Sequence, residues 1–208
     1  MTNAANRVGS SAIRTPRRRS VDNGRQEELL RDVAEIFFQE GFTSVGVDDL
    51  SKRLRCSKAT LYAIAGSKEQ LVLRITKRFF ASSAAKIEEA IAVENDSRKL
   101  IQRYLEGVGE AMGSMSPRFY EDMISYKPTA DVYSDNAATA TKRVREFIAA
   151  GVEDGYFRQV HGVFAAQLVG LAIEGIHSGQ LLEGSDLTPG QAFSELGDLI
   201  LNGLQTTD

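Results

Sequence analysis

From Gln26 onward, apolar side chains recur at three- and four-residue spacing, and nowhere does the strict alternation of a half-buried strand persist. Leu29, Leu30, Val33, Ile36, Phe37 and Phe38 define a first buried face. Gly41 supplies the left-handed residue that ends it, which predicts a helix over about 25–40. Two short amphipathic segments follow, near 47–53 and 58–64. A long one, 67–93, opens with Ser67 and Gln70 at capping-box spacing and continues through Leu71, Val72, Ile75, Phe79, Ile87 and Ile91. Further helices are predicted at 97–114 (Ile101, Tyr104, Leu105, Val108, Met112) and at 117–127, opened by Ser116 and Pro117 and stopped by Pro128. The next runs over about 135–154 (Val144, Phe147, Ile148, Val152). The last two, 162–182 and 189–204, flank a polar linker in which Thr188 and Pro189 hold the N-cap and N1 positions. The expected fold is all-α with about nine helices.

Residues 1–23 lack this periodicity and, rich in Ser, Asn, Thr and Arg, read as a disordered basic arm. With 208 residues, 42% of them hydrophobic and 25% charged, the chain makes one compact domain or two small ones, with no need for a disulfide or metal staple. Cys56 is its only cysteine, which excludes an internal disulfide and multi-cysteine zinc sites and is consistent with a reducing cytosol. No uninterrupted apolar stretch of about 18 residues is present, so no membrane span is expected. Arg7, Arg14, Arg17, Arg18 and Arg19 are followed by no apolar run, which argues against a secretory leader. The expectation is a soluble, cytoplasmic protein.

Charge adds direction. The formal net charge of −3 hides an asymmetry, because residues 1–78 hold 15 Lys and Arg against 9 Asp and Glu, while residues 79–208 hold 10 against 19. A basic N-terminal third on an acidic body points to a polyanion docking at one end. Two short helices joined by a tight turn, Val47–Arg53 and Lys58–Ile64, have the layout of a helix-turn-helix there. Ser57 can cap the second near Thr60. Helical phase turns Leu61 and Ala65 inward and leaves Lys58, Ala59 and Tyr62 outward, toward a phosphate backbone or a guanine edge.

The run from Leu29 to Phe42, then Asp49-Leu50-Ser51, then Ser57-Lys58-Ala59-Thr60-Leu61-Tyr62, then Ser67-Lys68-Glu69-Gln70-Leu71 resembles the TetR (tetracycline-repressor-like) family of bacterial regulators over about residues 25–75. Four separated blocks coincide at the right spacing. The resemblance implies that Thr60, Tyr62 and Lys68 contact phosphates, that Lys58 and Ala59 meet base edges, and that Ser57 caps the recognition helix. It also implies a boundary between a helix-turn-helix DNA-binding domain, 24–66, and a helical effector-binding and dimerisation domain, 67–208.

Three positions depart from the family pattern. Arg55 stands where the turn usually has glycine, adding a cation near DNA and, if left-handed, a strain of order 1 kcal/mol. Val45 and Gly46, followed by Asp48 and Asp49, replace the usual Thr/Ser pair. Asp48 should repel phosphate or accept from a cytosine amine. Ala65 replaces an aromatic anchor under Tyr62.

Catalytic chemistry finds little support. The adjacent acidic pairs Glu88-Glu89, Glu121-Asp122 and Glu153-Asp154 project to different helix faces, no phosphate loop or G-x-S-x-G run is present, and His161 and His177 have no metal-ligand spacing. No cofactor is expected. His177 reads as a polar residue on an interface helix. Cys56, flanked by Arg55 and Lys58, is either an oxidation-sensitive thiol or a small packed side chain. Arg17, Arg18 and Arg19 either track a minor groove or belong to a solvated tail.

The middle helices collect Phe79, Phe80, Tyr104, Met112, Met115, Phe119, Tyr120, Met123, Tyr126, Tyr133 and Phe147, a mixture suited equally to core packing and to an adaptable apolar cavity. Phe79, Tyr104, Met112, Phe119, Met123, Tyr126 and Phe147 are the expected lining. Helix 162–182 is apolar round most of its circumference, with Gly170, Gly175 and Gly179 allowing close approach. With helix 189–204 it would form an isologous four-helix interface through Leu168, Leu171, Gly175, Phe193, Leu196 and Ile200, unless it is an interior helix of a monomer. The function expected is a homodimeric, sequence-specific DNA-binding regulator, most simply a repressor, released from or retuned on a palindromic operator by a small, largely apolar effector. The alternative is a ligand-binding or protein-docking helical module that no longer reads DNA.

Overall fold

A computed structural model describes residues 17–94 and 96–205, and among them it shows nine helices and no strand. They are α1 (Arg17–Glu40), α2 (Val47–Arg53), α3 (Lys58–Ile64), α4 (Lys68–Ile91), α5 (Ser97–Gly113), α6 (Pro117–Ser125), α7 (Lys127–Glu153), α8 (Gly162–His177) and α9 (Pro189–Leu204). No helix of the described residues is long and apolar enough to cross a membrane.

Local chemistry accounts for most of the boundaries. Ser57, Ser67, Ser116 and Thr188 each accept a hydrogen bond from the backbone N–H three residues on, and at Thr188 the reciprocal bond from its own N–H to Gln191 completes a capping box. Gly41 ends α1 at φ +76°. It is needed there a second time, because a Cβ on it would lie 2.6 Å from an Asp122 carboxylate oxygen.

Three boundaries differ from the sequence expectation. The helix expected from about 25 begins at Arg17, since Arg, Gln and Glu carry a helix without any apolar period, so residues 17–23 are helical rather than part of an arm. The remainder of that expected arm, residues 1–16, lies outside the described residues. Pro128, read as the stop of one helix, sits in the first turn of α7, where its missing N–H costs nothing. The junction is closed by the buried Thr129 hydroxyl, which donates to the carbonyls of Met123 (2.7 Å) and Tyr126 (2.9 Å). Helix α8 ends at His177 instead of 182. Gly179 takes φ +79°, and the Leu181 N–H returns to the Gly175 carbonyl at 2.9 Å.

The largest apolar cluster joins α1, α2, α3 and the first half of α4 to α6, through Phe37, Leu50, Leu61, Ile75, Phe119 and Met123. It runs across the boundary expected at 66–67. A second cluster holds α4, α5, α7, α8 and α9 together around Ile101, Leu105, Val144, Phe147 and Ile148, and a third places Phe193 against Ile176.

Candidate DNA-binding face and ligand cavity

Helices α2 and α3 meet through a turn in which Arg55 adopts φ +49°, the left-handed conformation that a glycine would take without strain. Two bonds hold it. The Cys56 N–H donates to the Ser51 carbonyl at 3.1 Å, and the Ser51 hydroxyl donates to the Cys56 carbonyl. Cys56 itself is half-buried against the first cluster, and burial pushes its thiol up, which favours the packed over the reactive form.

Leu61 and Ile64 anchor α3 in the core, so Lys58, Ala59 and Tyr62 share its exposed surface. Thr60 is half-buried, its hydroxyl 2.8 Å from that of Ser57. Arg55 is exposed in the turn, and Lys68 sits half-buried at the start of α4. Arg17, Arg18 and Arg19 open α1, and their side chains lie outside the described residues.

Asp48 is not a free carboxylate. It forms an ion pair with Lys58, which raises that ammonium above its ordinary range. Arg53 likewise bridges Glu40 and Asp49, and Glu27 is held by Arg78 and by Arg74. All these pairs are exposed.

The head is fastened to the body through α6. One Asp122 carboxylate oxygen accepts from the N–H groups of Phe42 (2.7 Å) and Thr43 (2.8 Å), and the Ser116 N–H donates to the Phe38 carbonyl at 2.7 Å. Phe119 adds rings packed edge-on against Phe38 and Phe42, with centroids 5.0 and 5.7 Å apart.

Among α4, α5, α7 and α8 lies a cavity of about 590 Å³. Of the seven residues expected to line it, Phe79, Tyr104 and Met112 do. Phe119, Met123 and Tyr126 belong instead to the cluster that fastens the head, and Phe147 packs in the body core beside Tyr104 and under the Arg143 guanidinium. Composition could not separate the two uses, because the same aromatic and methionine side chains serve both.

The polar lining was missed. Glu174 and His177, one turn apart on α8, both reach the cavity, with Phe80 and Tyr133 beside them. His177 is therefore a cavity residue on that helix. Its Nδ1 lies 3.5 Å from the Tyr133 hydroxyl and its Nε2 is buried without a partner among the described residues. Burial pushes the imidazole down to about 4, so it is neutral at physiological pH. Burial likewise raises Tyr133 and Tyr120, and lifts Tyr104 to about 12. The available signal was two polar residues at i and i+3 in the most apolar helix. His161 acts locally, its Nδ1 capping α8 by accepting from the Phe164 N–H at 3.2 Å.

The residues expected at a dimer interface divide. Leu168 and Leu171 are 58% and 66% exposed, in line with Phe164 on one stripe of α8. Phe193, Leu196 and Ile200 turn inward, because the apolar stripe of α9 packs on α5; a Cβ on Gly109 would lie 2.9 Å from the Phe193 ring. Gly175 is covered by Leu181, and Gly170 admits Thr141 of α7.

Residues 29–75 match the sequence model described as bacterial regulatory proteins, tetR family. Among curated proteins, the chain is 27% identical over 82 residues to the HTH-type transcriptional activator FasR of Mycolicibacterium smegmatis, covering 39% of this chain and 37% of that protein. It is 27% identical over 142 residues to the HTH-type transcriptional repressor KstR2 of Rhodococcus jostii, covering 65% and 69%. The fold matches that of a transcriptional regulator from Saccharomonospora viridis solved in complex with choline (TM-score 0.77, 17% identity, 89% of this chain and 100% of that one). It also matches the ketosteroid transcriptional regulator KstR2 of Mycobacterium tuberculosis (TM-score 0.64, 20% identity, 89% and 97%). The chain thus combines a segment similar to helix-turn-helix regulators with a helical fold shared by solved transcriptional regulators. Over residues 29–75 it carries the sequence signature of the tetR-family bacterial regulatory proteins.

Proposed function

We propose that the chain acts as a homodimeric repressor that leaves a palindromic operator when a small, largely apolar molecule fills the cavity. The observation that carries this is the pairing of the outward face of α3, with Lys58, Ala59 and Tyr62, with an apolar cavity reached by the same helix, α4, that begins beside the face at Lys68. From Lys68 to Ile87, α4 spans about 28 Å, long enough for a small tilt at the cavity to displace the head. The Asp122 bonds to Phe42 and Thr43 tie α6 to the head, and Tyr120 on α6 packs against the cavity residues Tyr133 and His177.

A second copy is proposed to cover the stripe of Phe164, Leu168 and Leu171 on α8, joined by Leu199 of α9, which is 70% exposed. That pairing would set two α3 helices one helical repeat of duplex apart, about 34 Å. In this reading Lys58 and Ala59 meet base edges, with Ser57, Thr60, Tyr62, Lys68 and Arg55 along the backbone and Arg17, Arg18 and Arg19 at the flank. The head would comprise residues 24–66 and the effector and dimer domain residues 67–208. Repression rather than activation is favoured by the longer match to R. jostii KstR2, and a small-molecule site is supported by the S. viridis structure with choline.

Selection of DNA fragments by the purified protein supplies the operator. On it, Lys58→Ala and Tyr62→Ala should each weaken binding about tenfold, with dimerisation unchanged in sedimentation. Operator affinity should also fall steeply with salt; a flat titration would favour the non-DNA-reading module.

A further inference from the structure

Among the residues that line the 590 Å³ cavity, Glu174 is the only carboxylate, and no Lys or Arg lines it. Lys142 and Arg143 line a smaller neighbouring cavity and are engaged there by Glu146 and Glu88, at 3.9 and 2.8 Å. Among the described residues Glu174 has no ion pair. It stands exposed at the mouth of the cavity, one helical turn from His177. Because the His177 imidazole stays neutral down to about pH 4, it offers no compensating positive charge.

The same cavity is lined by aromatic rings. Phe80 and Tyr133 lie with centroids 6.1 Å apart, and Tyr120 backs Tyr133 at 5.6 Å and His177 at 6.0 Å. Aromatic rings attract a cation that reaches their faces, and an unpaired carboxylate attracts it through Coulomb's law. A carboxylate ligand would meet the opposite: a like charge and no cation to replace its hydration.

We propose that the cavity selects an organic cation with an apolar body, an amine or quaternary ammonium, seated between the Glu174 carboxylate and the rings of Phe80 and Tyr133, and discriminates against carboxylates of equal size. This assignment rests on the cavity being the effector site and names the chemical class it takes.

The test is calorimetry on the full chain near neutral pH without DNA, using decyltrimethylammonium, decan-1-ol and decanoate below their micellar concentrations. The cation should bind about tenfold tighter than decanoate. Glu174→Gln should bring the two within about threefold while leaving the alcohol unchanged, and Glu174→Lys should reverse the order. The unchanged alcohol serves as the check that each variant is folded. Equal or tighter binding of decanoate, no response of the ratio to either substitution, or no binding of any of the three overturns the assignment. DNA binding is read separately. A protein that retains its operator but shows no charge preference loses only the ligand class, and one that prefers cations without binding any duplex loses only the regulator reading.

Discussion

On the head, cations are held by nearby carboxylates at the surface: Lys58 by Asp48, Arg53 by Glu40 and Asp49, Arg78 by Glu27. In the cavity the arrangement is reversed, because among the described residues Glu174 has no ion pair. Exposed pairs contribute little to stability and can exchange one anion for another at small cost, so the head is prepared to trade a carboxylate for a phosphate. An unpaired carboxylate instead keeps its charge available to a ligand of opposite sign. Both regions are arranged for an incoming partner, one by holding replaceable bonds and the other by leaving bonds unmade.

The strongest way to break this contrast is to cut what joins the two regions. Phe119→Ala removes a ring that packs on Phe38 and Phe42 and should cost about 3–5 kcal/mol in denaturant unfolding. A loss under about 1 kcal/mol would mean that α6 and the head do not share a core. Next in size is the pH dependence of the cavity. The His177 imidazole sits at about 4 in the folded protein against an ordinary 6.5. Above 6.5 both states are neutral and its contribution to stability is complete. As pH falls from 6.5 toward 4 only the unfolded chain takes up the proton, so stability declines, by up to about 3 kcal/mol. His177→Leu should flatten that part of the curve in pH-dependent denaturation.

How much of this was legible in the sequence depended on distance along the chain. The caps at Ser57, Ser116 and Thr188 and the left-handed Gly41 and Arg55 are local, fixed by residues three or four apart, and they emerged as expected. Pro128 was ambiguous because the same ring that cannot continue one helix is well suited to begin the next. For α9, the stripe of Phe193, Leu196 and Ile200 announced burial without saying against what, and α5 took the place expected for a second subunit. The Asp48–Lys58 pair joins two helices across a turn, so residue spacing gave no sign of it. The cavity residues depend on four helices meeting, which periodicity within each helix cannot describe.

Smaller effects sharpen the contrast. Asp122→Ala frees the amides of Phe42 and Thr43 and should cost about 1–3 kcal/mol, with faster hydrogen exchange confined to the junction. Unchanged exchange at these two amides would remove α6 as a route between cavity and head. Arg55→Gly should raise stability by up to about 1 kcal/mol in thermal unfolding, since the left-handed strain disappears. The same change should reduce the salt slope of DNA binding by about one if Arg55 neutralises a phosphate.

The cavity has two kinds of wall. Phe79, Phe80, Met112 and Tyr133 line it on one side and also pack against the apolar cluster that carries the head. Gln167 and Glu174 line it from α8, which gives that cluster no apolar residue, while His177 on the same helix packs its ring on Tyr120 of the cluster. An engineer retuning this molecule as a biosensor thus has one control that is largely separate: changes at Gln167 or Glu174 should alter which compound is detected, whereas changes on the aromatic side should also alter how strongly detection is converted into output.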